Sequence, residues 1–269
     1  MKNYLWIILK YLFILYLLVC ALLYMFQGNL IFFPQKLERH HRFEFAQPFE
    51  EIYIQTEDGV LLHSLLFTVD EPKGVVFYLH GNAGSLLNWG SVAYVYNELQ
   101  YDVFLLDYRG FGKSEGSISN ETQFYNDVQA AYDTLLDRYE EDQIAVLGYS
   151  IGTGPAAKIA ADNNPALLIL QAPYYSLTDL VSSIYPFVPG FLLKYKFPTY
   201  RYLEEANMPI VIFHGTDDRV ISSESSIKLK NRFPQINLVL LEGQGHNGMT
   251  ENRKYQQEMK RVLQGQDWP

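Results

Sequence analysis

After Pro72, short apolar runs alternate with longer segments of helical pattern, and this alternation limits the fold more than any other feature. Apolar runs bounded by turn residues predict buried strands, and helical segments between them predict crossovers that build a mainly parallel sheet. Ligand sites in such sheets form at the carboxyl ends of the strands. We predict strands at 74–79, 103–106, 144–147, 167–170, 210–213 and 238–241, with helices at 85–99, 121–138, 152–162, 222–232 and 251–263.

The N-terminal segment is apolar from Leu5 to Phe26 except for Lys10, whose side chain can extend from the apolar layer toward the headgroups. About 20 apolar residues suffice for a membrane-spanning helix. A cleaved signal peptide would have a shorter apolar part followed by small residues, whereas this segment ends in large ones. We therefore predict an uncleaved single-pass anchor in residues 1–27. Basic residues on both sides leave its orientation open.

The rest of the chain divides into a connector and one domain. Residues 28–49 carry prolines and the pair His40-His41 and predict a juxtamembrane connector, while residues 50–269 are long enough for a single domain with a sizeable core. The segments 51–56 and 61–67, joined at Gly59, predict an antiparallel hairpin at its start. Residues 171–207 are rich in Tyr and Phe interrupted by Pro, which predicts a small lid. Its rings suit an apolar or acyl group, although each could equally pack against the core.

Composition excludes several classes of function. The net charge of −9, with no run of Lys or Arg, argues against a nucleic-acid-binding surface. The single Cys20 permits no intrachain disulfide, and the six histidines lack the spacing of metal sites, so we predict neither metal nor cofactor. Gly112-Lys113-Ser114 is not a phosphate loop, because Asp107 stands where that motif needs glycine. We expect Asp107 and Arg109 to brace loops.

The sequence Gly148-Tyr149-Ser150-Ile151-Gly152 follows one predicted strand and precedes a predicted helix. This pattern is typical of a sharp turn that holds a serine hydroxyl on a strained corner, with glycines where larger side chains would collide. The N-terminus of the following helix would face an anion formed at Ser150. Taken alone, the pattern also fits a glycine-rich turn with no chemical role.

A second small-residue turn, His80-Gly81-Asn82-Ala83-Gly84, follows the strand at 74–79. The backbone N–H of Asn82, together with that of Ile151, could bind an oxyanion. We expect the His80 side chain to hydrogen-bond to backbone instead of reacting.

Two later clusters supply a candidate acid and base. Asp217 and Asp218 follow the strand at 210–213, where either carboxylate could orient an imidazole. His246 lies on a glycine-flanked loop after the last strand and could accept the Ser150 proton. Serine, then aspartate, then histidine is the order expected of an α/β-hydrolase site.

These motifs together resemble the α/β-hydrolase superfamily and, within it, the Bem46-like, N-terminally membrane-anchored serine hydrolases. The resemblance implies an α/β fold with a mostly parallel eight-stranded sheet flanked by helices, a short aromatic lid and one N-terminal transmembrane helix. It also implies that Ser150 is the nucleophile, His246 the base and Asp218 the acid, because the acid of the family takes the fifth position of the block that starts at His214. One departure is Gly248 after Asn247, where relatives often have an acidic residue.

We therefore expect a membrane-bound serine hydrolase that cleaves carboxylic esters or thioesters of small or lipid-like acyl substrates through an acyl-enzyme. The same groups would support amide hydrolysis or acyl transfer, and a membrane-tethered binding protein without turnover is the alternative from another class. The natural substrate, the oligomeric state and the side of the membrane stay open.

Overall fold

Eight strands form one sheet in the computed structural model, which describes residues 2–265. Six strands are parallel to one another, and the first two form the predicted antiparallel hairpin at one edge. The predicted fold class is thus confirmed. The strands are β1 (Phe49–Gln55), β2 (Leu61–Phe67), β3 (Val75–Leu79), β4 (Asp102–Asp107), β5 (Ile144–Tyr149), β6 (Leu167–Gln171), β7 (Ile210–Gly215) and β8 (Asn237–Leu241), in the spatial order β1-β2-β4-β3-β5-β6-β7-β8.

Helices cover both faces of the sheet. Because successive strand residues point to opposite faces, Phe77 of β3 joins one core cluster while Val76 and Tyr78 join the other. Helices α4, α5 and α8 pack on the first face, and α3 and α9 on the second. The helices are α1 (Lys2–Ile31), α2 (Leu86–Trp89), α3 (Ala93–Asn97), α4 (Glu121–Leu136), α5 (Thr153–Asp162), α6 (Leu177–Ile184), α7 (Thr199–Tyr202), α8 (Glu224–Arg232) and α9 (Arg253–Leu263).

The predicted helix at 85–99 is wrong in one respect, because the structure divides it into α2, a 3₁₀ turn at Gly90–Val92 and α3. The ring of Phe45 packs so closely on Gly90 that a Cβ there would overlap it. Glycine is among the weakest helix formers, so a helix interrupted at this residue has a local physical cause.

Helix α1 extends to Ile31, four residues past the predicted end of the anchor at 27. Most of its side chains are exposed, and it is long and apolar enough to cross a membrane. Less exposed residues of the helix include Cys20, Leu23, Gln27 and Ile31, which recur every three or four positions and define one face.

The predicted lid at 171–207 contains α6, a 3₁₀ turn at Gly190–Leu192 and α7. Its aromatic residues differ widely in exposure. Tyr174, Tyr195 and Phe197 are buried in the core, whereas Phe187 and Phe191 are exposed.

The site region is set by the strand order. From β3 the chain crosses to β4 on one side and then returns to β5 on the other, so the order reverses between β3 and β5. Such a switch point opens a crevice at the carboxyl ends of the strands. Asn82 follows β3 and Ser150 follows β5, so both lie at this crevice.

Candidate active site

Ser150 lies at a strained turn directly after β5. Its φ is +53°, in the left-handed region that non-glycine residues rarely adopt. A Cβ at Gly148 would overlap the Gly152 carbonyl, and one at Gly152 would overlap the Leu79 carbonyl, so both flanking glycines are required. The Thr153 hydroxyl donates to the Ser150 carbonyl at 2.6 Å. This geometry confirms the predicted strained corner.

The structure brings the three predicted reactive side chains into one hydrogen-bonded chain. Ser150 Oγ lies 3.0 Å from His246 Nε2, and His246 Nδ1 lies 2.6 Å from Asp218 Oδ2. Ser150 and Asp218 are buried, and the His246 side chain is 11% exposed. Asp217 is exposed and its carboxylate lies beside Thr216, so Asp218 is the acid that contacts the histidine.

The Asp218 carboxylate is held by two further sets of donors. Its Oδ1 accepts from the N–H groups of Val220 at 2.8 Å and Ile221 at 2.9 Å. His214 Nε2 lies 3.3 Å from Oδ2. Burial alone would raise the pKa of Asp218, but the hydrogen bonds from His214, His246 and Ile221 outweigh it and lower that pKa well below its usual range.

The partners of His214 assign its tautomer. Nε2 lies 2.8 Å from the Ile221 carbonyl oxygen, which can only accept, so Nε2 carries the hydrogen. Nδ1 lies 2.6 Å from the Ser226 hydroxyl, which donates to it. His214 therefore points an N–H at the region of Asp218. We did not predict this role, and the only signal in the sequence is that His214 opens the block that ends at Asp218.

The loop that carries His246 is anchored to the nucleophile turn. The Tyr149 hydroxyl donates to the His246 carbonyl at 2.7 Å and lies 3.1 Å from Asn247 Oδ1. Gln244 Nε2 donates to the Asn247 carbonyl at 2.7 Å. Gly248 has φ +73°, so the glycine at this departure from the family pattern suits a left-handed turn.

The loop after β3 is attached to the end of α1. Asn82 Nδ2 donates to the Ile31 carbonyl at 3.0 Å, and the Phe33 N–H donates to the Asn82 carbonyl at 2.8 Å. The two-residue strand Phe33–Pro34 pairs in parallel with Ala83–Gly84. Asn82 and Ile151 thus lie at the ends of neighbouring strands, and the role of their N–H groups as oxyanion donors stays a prediction.

Three other motif residues act as braces. His80 is fully buried and its Nδ1 donates to the Gly81 carbonyl at 2.6 Å, as expected; burial lowers its pKa. Asp107 accepts from the Leu86 N–H at 2.9 Å. Arg109 makes a two-pronged ion pair with buried Asp127. Within residues 2–265, no group of three or more His, Cys, Asp or Glu side chains is arranged to hold a metal ion.

Comparison with known proteins decides the family. Residues 70–204, half of the chain, match the family described as serine aminopeptidase, S33. The chain belongs to this family of α/β-hydrolases. Its relatives also indicate that it is a Bem46-like hydrolase. The chain is 28% identical to protein bem46 of Schizosaccharomyces pombe over 230 residues, which cover 79% of this chain and 77% of that protein.

Two further comparisons agree with this family. The chain is 30% identical to alpha/beta hydrolase domain-containing protein 17B of Xenopus laevis, over 71% of this chain and 66% of that protein. An esterase from Pyrococcus furiosus superposes with a TM-score of 0.71 at 18% identity, covering 87% of this chain and 97% of the esterase. At 18% identity, this superposition supports the fold of the chain and carries no information about its function.

Proposed function

We propose that this α/β-hydrolase is a membrane-anchored serine hydrolase that cleaves carboxylic esters or thioesters through an acyl-enzyme. The observation that carries the proposal is the continuous relay from Ser150 Oγ through His246 to Asp218, which starts at a residue held in a strained conformation. A serine hydroxyl is a weak nucleophile unless an oriented base accepts its proton, and this relay supplies both base and orientation.

The mechanism follows from this geometry. Ser150 Oγ attacks the substrate carbonyl carbon while its proton passes to His246 Nε2, and the ionised Asp218 stabilises the resulting imidazolium. The N–H groups of Asn82 and Ile151 hold the negative oxygen of the tetrahedral intermediate. The intermediate collapses as His246 protonates the leaving alcohol or thiol. Water, deprotonated by His246, then attacks the Ser150 ester, and His246 returns the proton to Ser150 Oγ as the acid leaves.

The membrane part of the proposal rests on α1. The N-terminal part of the helix, residues 4–15, is exposed throughout, and large side chains such as Trp6 and Phe13 are 73% and 61% exposed. Burying such side chains in a bilayer is favourable, whereas leaving them in water is costly. We assign residues 1–27 to the anchor, 28–49 to the connector and 50–269 to the catalytic domain, with 171–207 as its lid. An enzyme held at a bilayer suits acyl or lipid-like substrates.

The test uses full-length protein in detergent micelles and a fluorophosphonate probe that labels activated serines. We expect labelling of the native protein, loss of labelling in Ser150→Ala and in His246→Ala, and full labelling in the control Ser91→Ala, which removes an exposed hydroxyl. Rates of hydrolysis of nitrophenyl esters of increasing chain length then show which acyl length the site accommodates best. A folded protein that neither labels nor turns over any ester would favour a tethered binding protein.

A second candidate, amide hydrolysis, is favoured by the description of the matching family as serine aminopeptidases. The same relay serves an amide, provided that His246 protonates the leaving amine. Aminoacyl nitroanilides with free and with acetylated amino groups distinguish the two activities. Faster cleavage of the free-amine nitroanilide than of any nitrophenyl ester, each relative to its uncatalysed rate, would replace the esterase proposal with the aminopeptidase.

A further inference from the structure

The end of the lid exposes a cluster of large apolar side chains, which we call the lid tip and define as residues 184–193. Ile184 is 51% exposed, Tyr185 60%, Phe187 82% and Phe191 81%. No charged residue occurs between Asp179 and Lys194, a run of fourteen uncharged positions. An exposed apolar patch of this kind marks a surface that meets another apolar phase or partner.

The lid tip runs alongside α1. Tyr16 donates its hydroxyl hydrogen to the Phe187 carbonyl at 3.0 Å. Gln27 donates through Nε2 to the Leu192 carbonyl at 3.1 Å, and its Oε1 accepts from the Lys194 N–H at 2.7 Å. Tyr16 and Gln27 are separated by eleven helical positions, or about 16 Å along the axis at 1.5 Å per residue. The contact therefore extends over roughly half of the apolar part of α1.

The position of Tyr16 fixes the depth of the lid tip once α1 crosses a bilayer. The apolar span of α1 starts at Tyr4, and from there to Tyr16 the helix rises only about 18 Å, whereas the hydrocarbon layer is about 30 Å thick. The apolar part of α1 before Tyr16 is thus too short to cross alone, so Tyr16 lies inside the layer when this span crosses. Tilting α1 shortens its vertical rise and moves Tyr16 deeper still. Phe187, bonded to Tyr16, lies beside it.

Part of the lid-tip backbone is hydrogen-bonded within the protein. An unpaired N–H or C=O group in hydrocarbon costs several kcal/mol, so irregular backbone there needs partners. The carbonyls of Phe187 and Leu192 accept hydrogen bonds from Tyr16 and Gln27 of α1, as described. Two positions are prolines, Pro186 and Pro189, which carry no N–H. Four N–H groups of the lid tip donate hydrogen bonds, those of Tyr185, Val188, Leu192 and Leu193.

We propose that the lid tip inserts into the hydrocarbon of the bilayer that α1 crosses, so that the enzyme takes membrane-resident acyl compounds as substrates. The lid leaves the sheet at the end of β6, the strand next to β5 and Ser150. An acyl chain that follows the lid from the bilayer therefore arrives at the strand ends where the reactive groups lie. Lys194 follows the lid tip directly and would lie at the boundary between hydrocarbon and headgroups, with its ammonium 4.5 Å from the centre of the Tyr24 ring. This inference rests on the proposed anchor.

The depth is measured with nitroxide labels on single cysteines in full-length protein that carries Cys20→Ala, reconstituted in phosphatidylcholine vesicles. The labelled positions are Phe187→Cys in the lid tip, Leu17→Cys on α1 and Leu136→Cys at the end of α4; the last two side chains are 50% and 42% exposed. Accessibility to oxygen, which concentrates in hydrocarbon, is compared with accessibility to a water-soluble nickel chelate. Fluorophosphonate labelling of each variant checks that it is folded.

We expect the labels at 187 and 17 to be accessible to oxygen and to lose accessibility to nickel, while the label at 136 is reached by nickel. A label at 187 that nickel reaches as readily as the label at 136, with 17 in hydrocarbon, would overturn the insertion and leave the anchor intact. A label at 17 that nickel reaches would overturn the anchor and the insertion together. A label at 187 shielded from both reagents would replace the bilayer with a protein partner such as a second copy.

A kinetic test separates insertion from the chemistry. The double variant Phe187→Asp, Phe191→Asp places charges at the lid tip, where hydrocarbon would oppose them. We expect turnover of a long-chain ester embedded in vesicles to fall by about tenfold or more, while turnover of a soluble acetyl ester is unchanged. Equal losses on both esters, or no loss on either, would contradict the proposal. Leu136→Asp is the matched control and should affect neither rate.

Discussion

Replacing Asp218 with asparagine tests the proposed relay most sharply, because its surroundings dictate how the new amide must lie. Oδ1 of Asp218 accepts from two backbone N–H groups, so the oxygen of the introduced amide must occupy that position. The amide nitrogen then takes the position of Oδ2, where it faces His246 Nδ1 and the N–H of His214. Reversing the amide would instead oppose its NH₂ group to two backbone donors.

In that arrangement the amide donates to His246 Nδ1, so the hydrogen of the neutral imidazole moves to Nε2. That tautomer cannot accept the Ser150 proton. Loss of the correct tautomer in a serine, histidine and aspartate relay lowers kcat by about 10⁴-fold. This corresponds to about 5 kcal/mol of transition-state stabilisation. We expect a loss of this order in Asp218→Asn, with KM for a short nitrophenyl ester nearly unchanged because the substitution lies away from the substrate.

The assay compares kcat of Asp218→Asn with that of Asp217→Asn in full-length protein at neutral pH. Asp217 is exposed and makes no contact with His246 in the structure, so its variant should keep native kcat within about twofold. If Asp218→Asn retains kcat within about tenfold of native, the tautomer argument fails. Equal losses in both variants would show that the local loop, and not the relay, is responsible.

Three further outcomes follow from other contacts. Gly152→Ala should abolish folding or cost several kcal/mol, because its Cβ would overlap the Leu79 carbonyl at the end of β3. Gly245→Ala, which has open space around it, should change the free energy of unfolding by at most about 1 kcal/mol. Arg109→Met should destabilise by about 3–5 kcal/mol, since it leaves a buried carboxylate unpaired, while Arg261→Met removes an exposed pair and should cost under about 1 kcal/mol in the same urea titration. The lowered pKa of Asp218 means that its contribution to stability is full above pH about 4 and is lost as the pH falls through the lower, folded-state pKa. Unfolding followed by tryptophan fluorescence should therefore show a weaker acid dependence in Asp218→Asn than in the native protein.

Local patterns predicted the sheet well, and the structure brings the predicted site residues Ser150, Asp218 and His246 together. The apolar runs that became β3 to β8 carry their own boundaries in Gly, Asp and Pro, and the chemistry follows those runs at their carboxyl ends. The choice between Asp217 and Asp218 did not follow from the residues alone, because adjacent side chains differ only in direction. The resemblance to the family favoured Asp218, and in the structure the Asp218 carboxylate is hydrogen-bonded to His246.

Features that depend on distant contacts escaped prediction. The support that His214 gives to Asp218 requires the fold to bring the Ile221 carbonyl to Nε2. The strand Phe33–Pro34 is too short to show a period of two. The contact of Tyr16 with Phe187 joins positions 171 residues apart, and no local pattern encodes such a pair.

The attachment of α1 to the loop after β3 restricts how the domain can move. Only Phe32, itself buried, separates the helix end at Ile31 from the strand that pairs with that loop. A junction this short has no room for a swivel, so a bilayer-spanning α1 would hold the domain at one fixed tilt on the membrane surface. The enzyme would then meet its substrates by lateral diffusion within a single leaflet. The encounter rate would scale with the surface density of substrate in that leaflet instead of its bulk concentration.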